Sequence, residues 1–80
     1  MIVVKLKQAM ANYGQRTGER MTYQRLAELT GISRATLESI ASRAGYNASL
    51  NVVDKICTAL ECDPAELLEF SVSNAEDAEQ

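Results

Sequence analysis

The feature that most constrains the fold of this chain is Gly31, which lies between two short amphipathic segments within residues 21–43. Thr22 is a suitable N-cap for the first segment, because its hydroxyl can accept from the free backbone N–H groups of a first helical turn. Glycine enters the left-handed region at no steric cost, so the chain can turn sharply at Gly31. We therefore predict a helix over about residues 23–29 that ends at this glycine. Its predicted inward side chains are Leu26, Ala27 and Leu29.

A second helix is predicted after the glycine, over about residues 34–43, with Ser33 as its N-cap. Beyond Ser33 the apolar residues recur three and four positions apart, which is the spacing of one helical face. That stripe consists of Leu37, Ile40, Ala41 and Ala44, and the opposite face carries Arg34, Thr36, Glu38, Ser39 and Ser42. Two helices around a glycine, the second polar on its outer side, form a helix-turn-helix pattern.

The N-terminal residues predict another helix, from about Val3 to Tyr13. Its apolar seam consists of Val3, Leu6, Met10 and Tyr13. Because Ile2–Val4 is β-branched, the alternative for the first residues is an extended segment that pairs with a second subunit. A polar connection follows over residues 14–20, and Gly45 is expected to end the second helix of the helix-turn-helix.

Two further helices are predicted in the C-terminal half. The fourth helix in chain order begins near Ser49 or Asn51, and its buried stripe is Val53, Ile56, Cys57 and Leu60. The fifth has Asp63 as N-cap and Pro64 at its first position. Leu67, Leu68 and Phe70 are expected to be buried there. Residues 71–80 contain three acids and one branched apolar residue, so we expect an acidic, disordered tail that cannot repay its ordering entropy.

Length and composition restrict the class of protein. Eighty residues, 46% of them hydrophobic with one proline, predict one folded helical domain. The two cysteines stand in a C-x4-C spacing without histidine, so they cannot supply four zinc ligands, and we expect no cofactor. Without histidine, a glycine-rich phosphate loop or room for a sizeable pocket, an enzyme is not expected. No targeting segment or membrane span is evident, so a cytoplasmic location is predicted.

The net charge of −3 hides an asymmetry along the chain. Residues 1–46 carry seven basic and three acidic side chains, a balance of +4, whereas residues 47–80 carry one basic and eight acidic, a balance of −7. The basic half can bind phosphate although the chain as a whole is acidic. The charge pattern is therefore compatible with a nucleic-acid partner.

The helix-turn-helix segment resembles that of the phage-repressor type, the Cro/cI or XRE family of transcriptional regulators. The matching residues there are Leu26–Ala27, Gly31, Ile32–Arg34, Leu37 and Ile40. The match continues through Ser49–Leu50, Val53, Ile56, Cys57, Leu60, Asp63–Pro64 and Leu67–Leu68. Coverage is about residues 3–70. The resemblance implies an all-α, compact five-helix lambda-repressor-like domain over residues 1–70, which would bind double-stranded DNA as a transcriptional regulator, expected to be a repressor, with the helix at about residues 33–43 in the major groove.

The outer face of the predicted second helix of the helix-turn-helix suits base contacts. The guanidinium of Arg34 presents parallel N–H donors that can pair with guanine, and Ala35 can contact a thymine methyl group. The hydroxyls of the serine and threonine side chains can donate to bases or phosphates. The expected base-contacting residues are Ser33, Arg34, Ala35, Thr36 and Ser39. The expected phosphate-contacting residues, most of them implied by the resemblance, are Arg20, Tyr23, Gln24, Ser42, Arg43, Tyr46 and Asn47.

Several of these assignments have alternatives. Residues 14–20 form a solvated loop, or Arg16 or Arg20 reaches a phosphate. Glu38 either contacts a cytosine or forms an ion pair with Arg34 at i, i+4. Arg43 either contacts a phosphate or interacts with the C-terminal end of the helix dipole. Tyr46 packs over its loop instead of binding phosphate. Family members often have glutamine where this chain has Tyr23, and the reading helix lacks long amides, so specificity is expected to rest on few contacts and on DNA shape.

Partners follow from the same reasoning. A domain of this size contacts one half-site, so a homodimer that reads two half-sites about 34 Å apart is expected. The candidate dimer surfaces are Ile2–Val4 and Leu67–Val72. The alternative function is a protein-interaction module, such as an antitoxin or adaptor, whose partner binds the acidic C-terminal half.

Overall fold

Five helices and two short strands make up the computed structural model, which describes residues 1–43 and 46–70. The predicted all-α domain with five helices is confirmed, and the strands are a minor addition. In chain order the elements are β1 (Ile2–Val4), α1 (Leu6–Thr17), α2 (Tyr23–Thr30), α3 (Arg34–Ser42), α4 (Leu50–Leu60), α5 (Pro64–Leu67) and β2 (Leu68–Phe70).

Seven leucine and isoleucine side chains form the centre of the core, and every helix supplies at least one of them. They are Leu6, Leu26, Leu37, Ile40, Ile56, Leu60 and Leu67, all inaccessible to solvent. Burial of each contributes roughly 1.5–3 kcal/mol, so the helical stripes determine how the bundle assembles. Most predicted stripe residues are buried, but the prediction for Leu29 is wrong, since 54% of its surface is exposed.

The first residues are extended, so the predicted helix start at Val3 is wrong and α1 begins at Leu6. Strand β1 pairs antiparallel with β2, with Ile2 opposite Phe70 and Val4 opposite Leu68. The extended alternative is therefore confirmed, but in this structure the segment's partner is the same chain. Strand β1 coincides with one candidate dimer surface, and β2 covers Leu68–Phe70 of the other, so these parts of the two surfaces lie in one two-stranded sheet.

Helix α1 continues beyond its predicted end at Tyr13, and Gly18 ends it in the left-handed conformation at φ 78°. The prediction of a connection from residue 14 onwards is therefore wrong as far as Thr17. Arg16 explains the extension, because its guanidinium donates to the carbonyl of Leu60 at 2.7 Å and so ties this last turn to the end of α4.

The C-terminal helices begin where the sequence predicts. The hydroxyl of Ser49 accepts from the N–H of Val52 at 3.2 Å, which selects Ser49 over Asn51 as the cap of α4. Pro64 is the first residue of α5, although the Asp63 side chain makes no capping bond. Helix α5 has only four residues because the chain turns into β2. Phe70 is 69% exposed at the end of that strand, so its predicted burial is wrong.

Both cysteines are free thiols, and Cys57 is buried as expected. Burial, with the neighbouring Cys57, raises the pKa of Cys62 to about 11. Burial also raises the pKa of Cys57. Both side chains are therefore thiols rather than thiolates at neutral pH, and they contribute to packing as small apolar groups.

The predictions for Ala44, Gly45 and the acidic tail at residues 71–80 lie outside the described residues. In residues 1–43 and 46–70, no helix is both long and apolar enough to cross a membrane.

Candidate nucleic-acid interface

Hydrogen bonds from side chains fix the turn between α2 and α3. Gly31 adopts the left-handed conformation at φ 76°, as predicted. The Thr22 hydroxyl accepts from the N–H of Arg25 at 3.1 Å, which caps α2. The hydroxyl of buried Thr30 donates to the carbonyl of Leu26 at 2.7 Å and accepts from the N–H of Ile32 at 3.1 Å. Thr30 was not among the residues singled out from the sequence, because a threonine where a helix passes into a loop is common. Only its burial shows its role in the turn.

Helix α3 is anchored on one side and exposed on the other. Leu37 and Ile40 are completely buried in the core, whereas Arg34, Ala35 and Glu38 are exposed. The anchored side prevents the helix from rolling, so its outer side chains hold fixed positions relative to the rest of the bundle. Such a rigid polar face is what groove recognition requires.

Arg34, the first residue of α3, forms an ion pair with Glu38 one turn later. The Arg34 Nε lies 2.9 Å from the Glu38 Oε2, and 60% and 48% of the two side chains are exposed. The predicted i, i+4 pairing is confirmed. Because only Nε is engaged in this bond, the two terminal nitrogens of the guanidinium remain available to a ligand.

The short hydroxyls on α3 are partly committed to the helix itself. Ser33 caps it by accepting from the N–H of Thr36 at 3.2 Å, and its hydroxyl donates to that of Thr36 at 2.8 Å. Ser42 donates to the carbonyl of Glu38 at 2.9 Å. The hydroxyl of Ser39 makes no side-chain hydrogen bond within the described residues. Ser39 and Ala35 thus have the least committed side chains among the short predicted contacts.

Three separate segments of the chain meet in an open cleft of about 480 Å³ beside the start of α2. Four of the predicted contact residues line it, namely Arg20, Tyr23, Gln24 and Arg34. Lys7 of α1 lines it too, and the sequence-based candidates did not include Lys7. An exposed lysine on a helix surface carries no sequence signal, and the basic N-terminal half was the only hint.

The remaining predicted phosphate contacts follow α3. The guanidinium of Arg43 lies 5.7 Å from the ring centroid of Tyr46, which is a cation–π contact. Tyr46 is half-buried and packs against the core, while Asn47 is exposed. Arg43 and Tyr46 thus form a separate pair, and neither lines the cleft at the start of α2.

Arg16 does not belong to this surface. Besides the carbonyl of Leu60, it contacts that of Glu61 at 3.3 Å and the carboxylate of Glu66 at 3.6 Å. These contacts hold α1 against the ends of α4 and α5. The alternative in which Arg16 reaches a phosphate is therefore wrong, and its role is structural.

The bundle, the turn at Gly31 and the exposed polar helix define a small helix-turn-helix domain. Residues 5–73 match the Cro/C1-type HTH DNA-binding domain, and the chain belongs to this family. The chain is also similar to the uncharacterized HTH-type transcriptional regulator YozG of Bacillus subtilis strain 168, with 33% identity over 51 residues. The similar region spans 64% of this chain and 61% of the relative, less than two thirds of that protein. Together these comparisons support a DNA-binding regulator.

Proposed function

We propose that this chain is a sequence-specific transcriptional repressor that inserts α3 into the major groove of double-stranded DNA. The observation that carries the proposal is the exposed polar face of α3, with Arg34 at its first turn, held rigid by the buried Leu37 and Ile40. Family membership supports DNA as the partner. A cytoplasmic location fits this function.

Contacts are divided between bases and backbone in this proposal. Arg34 pairs with a guanine through its two free nitrogens, and Ala35 and Ser39 meet the neighbouring bases. Ser33 and Thr36 complete the base-contacting set, after exchanging the hydrogen bond between their hydroxyls for one to DNA. The proposed backbone contacts are Arg20, Tyr23, Gln24, Ser42, Arg43, Tyr46 and Asn47.

Selection of bound duplexes from a random library tests the proposal most directly. We expect enrichment of one half-site motif, repeated with two-fold symmetry at one helical turn, and affinity that falls steeply with salt. The alternative, a protein-interaction module, predicts no enrichment and no binding to any duplex at low salt. Since residues 47–80 carry eight acidic side chains and one basic one, a basic protein would then be the expected partner.

A homodimer is part of the proposal, and an exposed apolar surface supports it. Among the described residues, five large apolar side chains are exposed, and four of them, Met1, Ile2, Leu50 and Phe70, belong to the β1–β2 sheet, precede it or line a groove beside it. Ile2 lies opposite Phe70 in the sheet, and Ile2 and Leu50 line one groove of about 340 Å³. We call these four side chains the ribbon surface. A surface of this kind is typical of an interface.

A second copy of the chain is the occupant that fits the ribbon surface best. The following segment, residues 71–80, has a single large apolar residue, Val72, and three acids, so it offers little to cover four apolar side chains. The groove is also lined by Tyr46 and Asn47, which come soon after α3. We propose that a two-fold contact there directs the two copies of α3 to paired half-sites.

Phe70→Ser is expected to convert the dimer to a monomer in sedimentation equilibrium. The free energy of unfolding should hardly change, because most of the Phe70 side chain is already exposed. Leu29→Ser is the matched control, since Leu29 is the exposed large apolar residue outside the ribbon surface, and this variant should remain dimeric. A dimer that survives in both Phe70→Ser and Leu50→Ser would contradict the assignment.

A further inference from the structure

The cleft beside the start of α2 concentrates positive charge. Lys7, Arg20 and Arg34 all line it, and no acidic side chain from residues 1–43 or 46–70 does so. The three cations come from α1, from the connection between α1 and α2, and from α3, so only the folded chain brings them together. Cations that share a cleft repel one another, and an anion between them relieves that repulsion.

Two of these cations have no acidic partner within the described residues. The ion pairs found there join Lys5 to Glu69, Arg16 to Glu66, Arg25 to Glu19 and Arg34 to Glu38. Glu19, the acid next to Arg20 in sequence, is held by Arg25 at 3.4 Å. Lys7 and Arg20 are therefore available to a ligand that enters the cleft.

The same cleft offers neutral hydrogen-bond donors. Tyr23 and Gln24, whose side chains carry a hydroxyl and an amide, belong to its lining. The Gln24 Nε2 donates to the Glu28 carboxylate at 3.2 Å, which leaves its second amide hydrogen free. Ammonium, guanidinium, phenol and amide groups that converge on one cleft match a tetrahedral oxyanion. The chemistry of the site is that of phosphate binding.

We infer that Lys7 is a further contact to the backbone phosphate that Arg20, Tyr23 and Gln24 are proposed to bind in this cleft. The inference deepens the proposed function and rests on it. Arg34 belongs both to the cleft and to the first turn of the reading helix, so a phosphate bound by Lys7 and Arg20 lies next to the bases that α3 reads. Lys7 thereby sets the position of α3 along the backbone without reading sequence.

The test is the salt dependence of duplex binding by Lys7→Gln. Loss of one phosphate contact should reduce the slope of log affinity against log salt by about 0.9, and should weaken specific and random duplexes by the same factor, roughly five- to tenfold at low salt. Lys7→Arg should retain the slope of the unmodified protein. Lys55→Gln is the matched control, since this lysine lies on α4 and lines a different groove.

Each alternative result has a distinct meaning. An unchanged slope in Lys7→Gln, with the unmodified protein binding DNA, overturns the assignment of Lys7 and leaves the proposed function intact. A protein that binds no duplex at all overturns both. Titration with inorganic phosphate alone tests whether the cleft binds a free anion instead of DNA. Large amide shifts at Lys7 and Arg20 in that titration, combined with an unchanged slope, would identify a site for a free anion and overturn the assignment to DNA.

Discussion

Arg34→Ala is expected to lower sequence-specific affinity by about 1–3 kcal/mol, which is roughly 5- to 150-fold in the dissociation constant. The effect is large because a guanidinium that pairs with a guanine edge is the strongest discriminating contact available to this helix. The affinity for non-specific duplexes should fall less, since Arg34 contributes only its positive charge to those complexes. Parallel titrations of the selected site and of a scrambled duplex, at one salt concentration, measure the difference.

Folding should not obscure this result. The Arg34–Glu38 pair is exposed on both sides, and pairs of this kind at i, i+4 contribute about 0.3–0.5 kcal/mol. Lys55→Ala provides a control for the loss of one positive charge, because Lys55 lies on α4 and does not line the cleft. Equal losses on both duplexes in Arg34→Ala would show that this residue contacts only phosphate.

Glu38 determines how Arg34 is presented. By holding Nε at 2.9 Å, its carboxylate limits the rotamers of the guanidinium and leaves the two terminal nitrogens without a bond to Glu38. The same carboxylate repels phosphate, which disfavours binding where no base contact compensates for it. An acidic residue on the proposed DNA-reading helix is therefore consistent with specificity rather than opposed to it.

The sequence was most informative where local rules operate. Gly31 ends α2 in the left-handed conformation, and Thr22 and Ser33 cap their helices, because caps and turns depend on a few neighbouring residues. The spacing of Leu37 and Ile40 correctly identified the inner face of α3. The candidate contacts on the outer face of α3 rest on the chemistry of their side chains and on the resemblance to the family, and they remain predictions.

Features that depend on distant residues escaped the sequence. The pairing of β1 with β2 joins residues more than sixty positions apart, from Ile2 to Phe70. The cleft is likewise formed by three segments, so Lys7 looked like an ordinary surface lysine. The role of Arg16 depends on carbonyls at the far end of α4. Periodicity describes one helix at a time and carries no information about which helix ends meet.

Helix α2 shows how narrow a buried stripe can be. Leu26 and Leu29 lie three positions apart, so both fit an apolar face, but they are separated by about 60° around the axis. Thr30 lies on the other side of Leu26 and is buried, because its hydroxyl bonds back to the Leu26 carbonyl and needs no external partner. The stripe is therefore centred away from Leu29, which faces solvent.

Leu26→Ala is accordingly expected to lower the free energy of unfolding by about 2–5 kcal/mol, whereas Leu29→Ala should cost less than about 1 kcal/mol. The comparison is matched, since both variants make the same change in one helix and alter helix propensity equally. Leu26 is fully buried, and a chain of this size has a total free energy of unfolding of only about 4–12 kcal/mol. The Leu26→Ala variant should therefore be unfolded in a large share of molecules on mild heating. Urea unfolding followed by far-UV circular dichroism gives both values. Equal losses would mean that both leucines are buried in solution, as the sequence pattern predicts, and that the placement of Leu29 on the surface of α2 is incorrect.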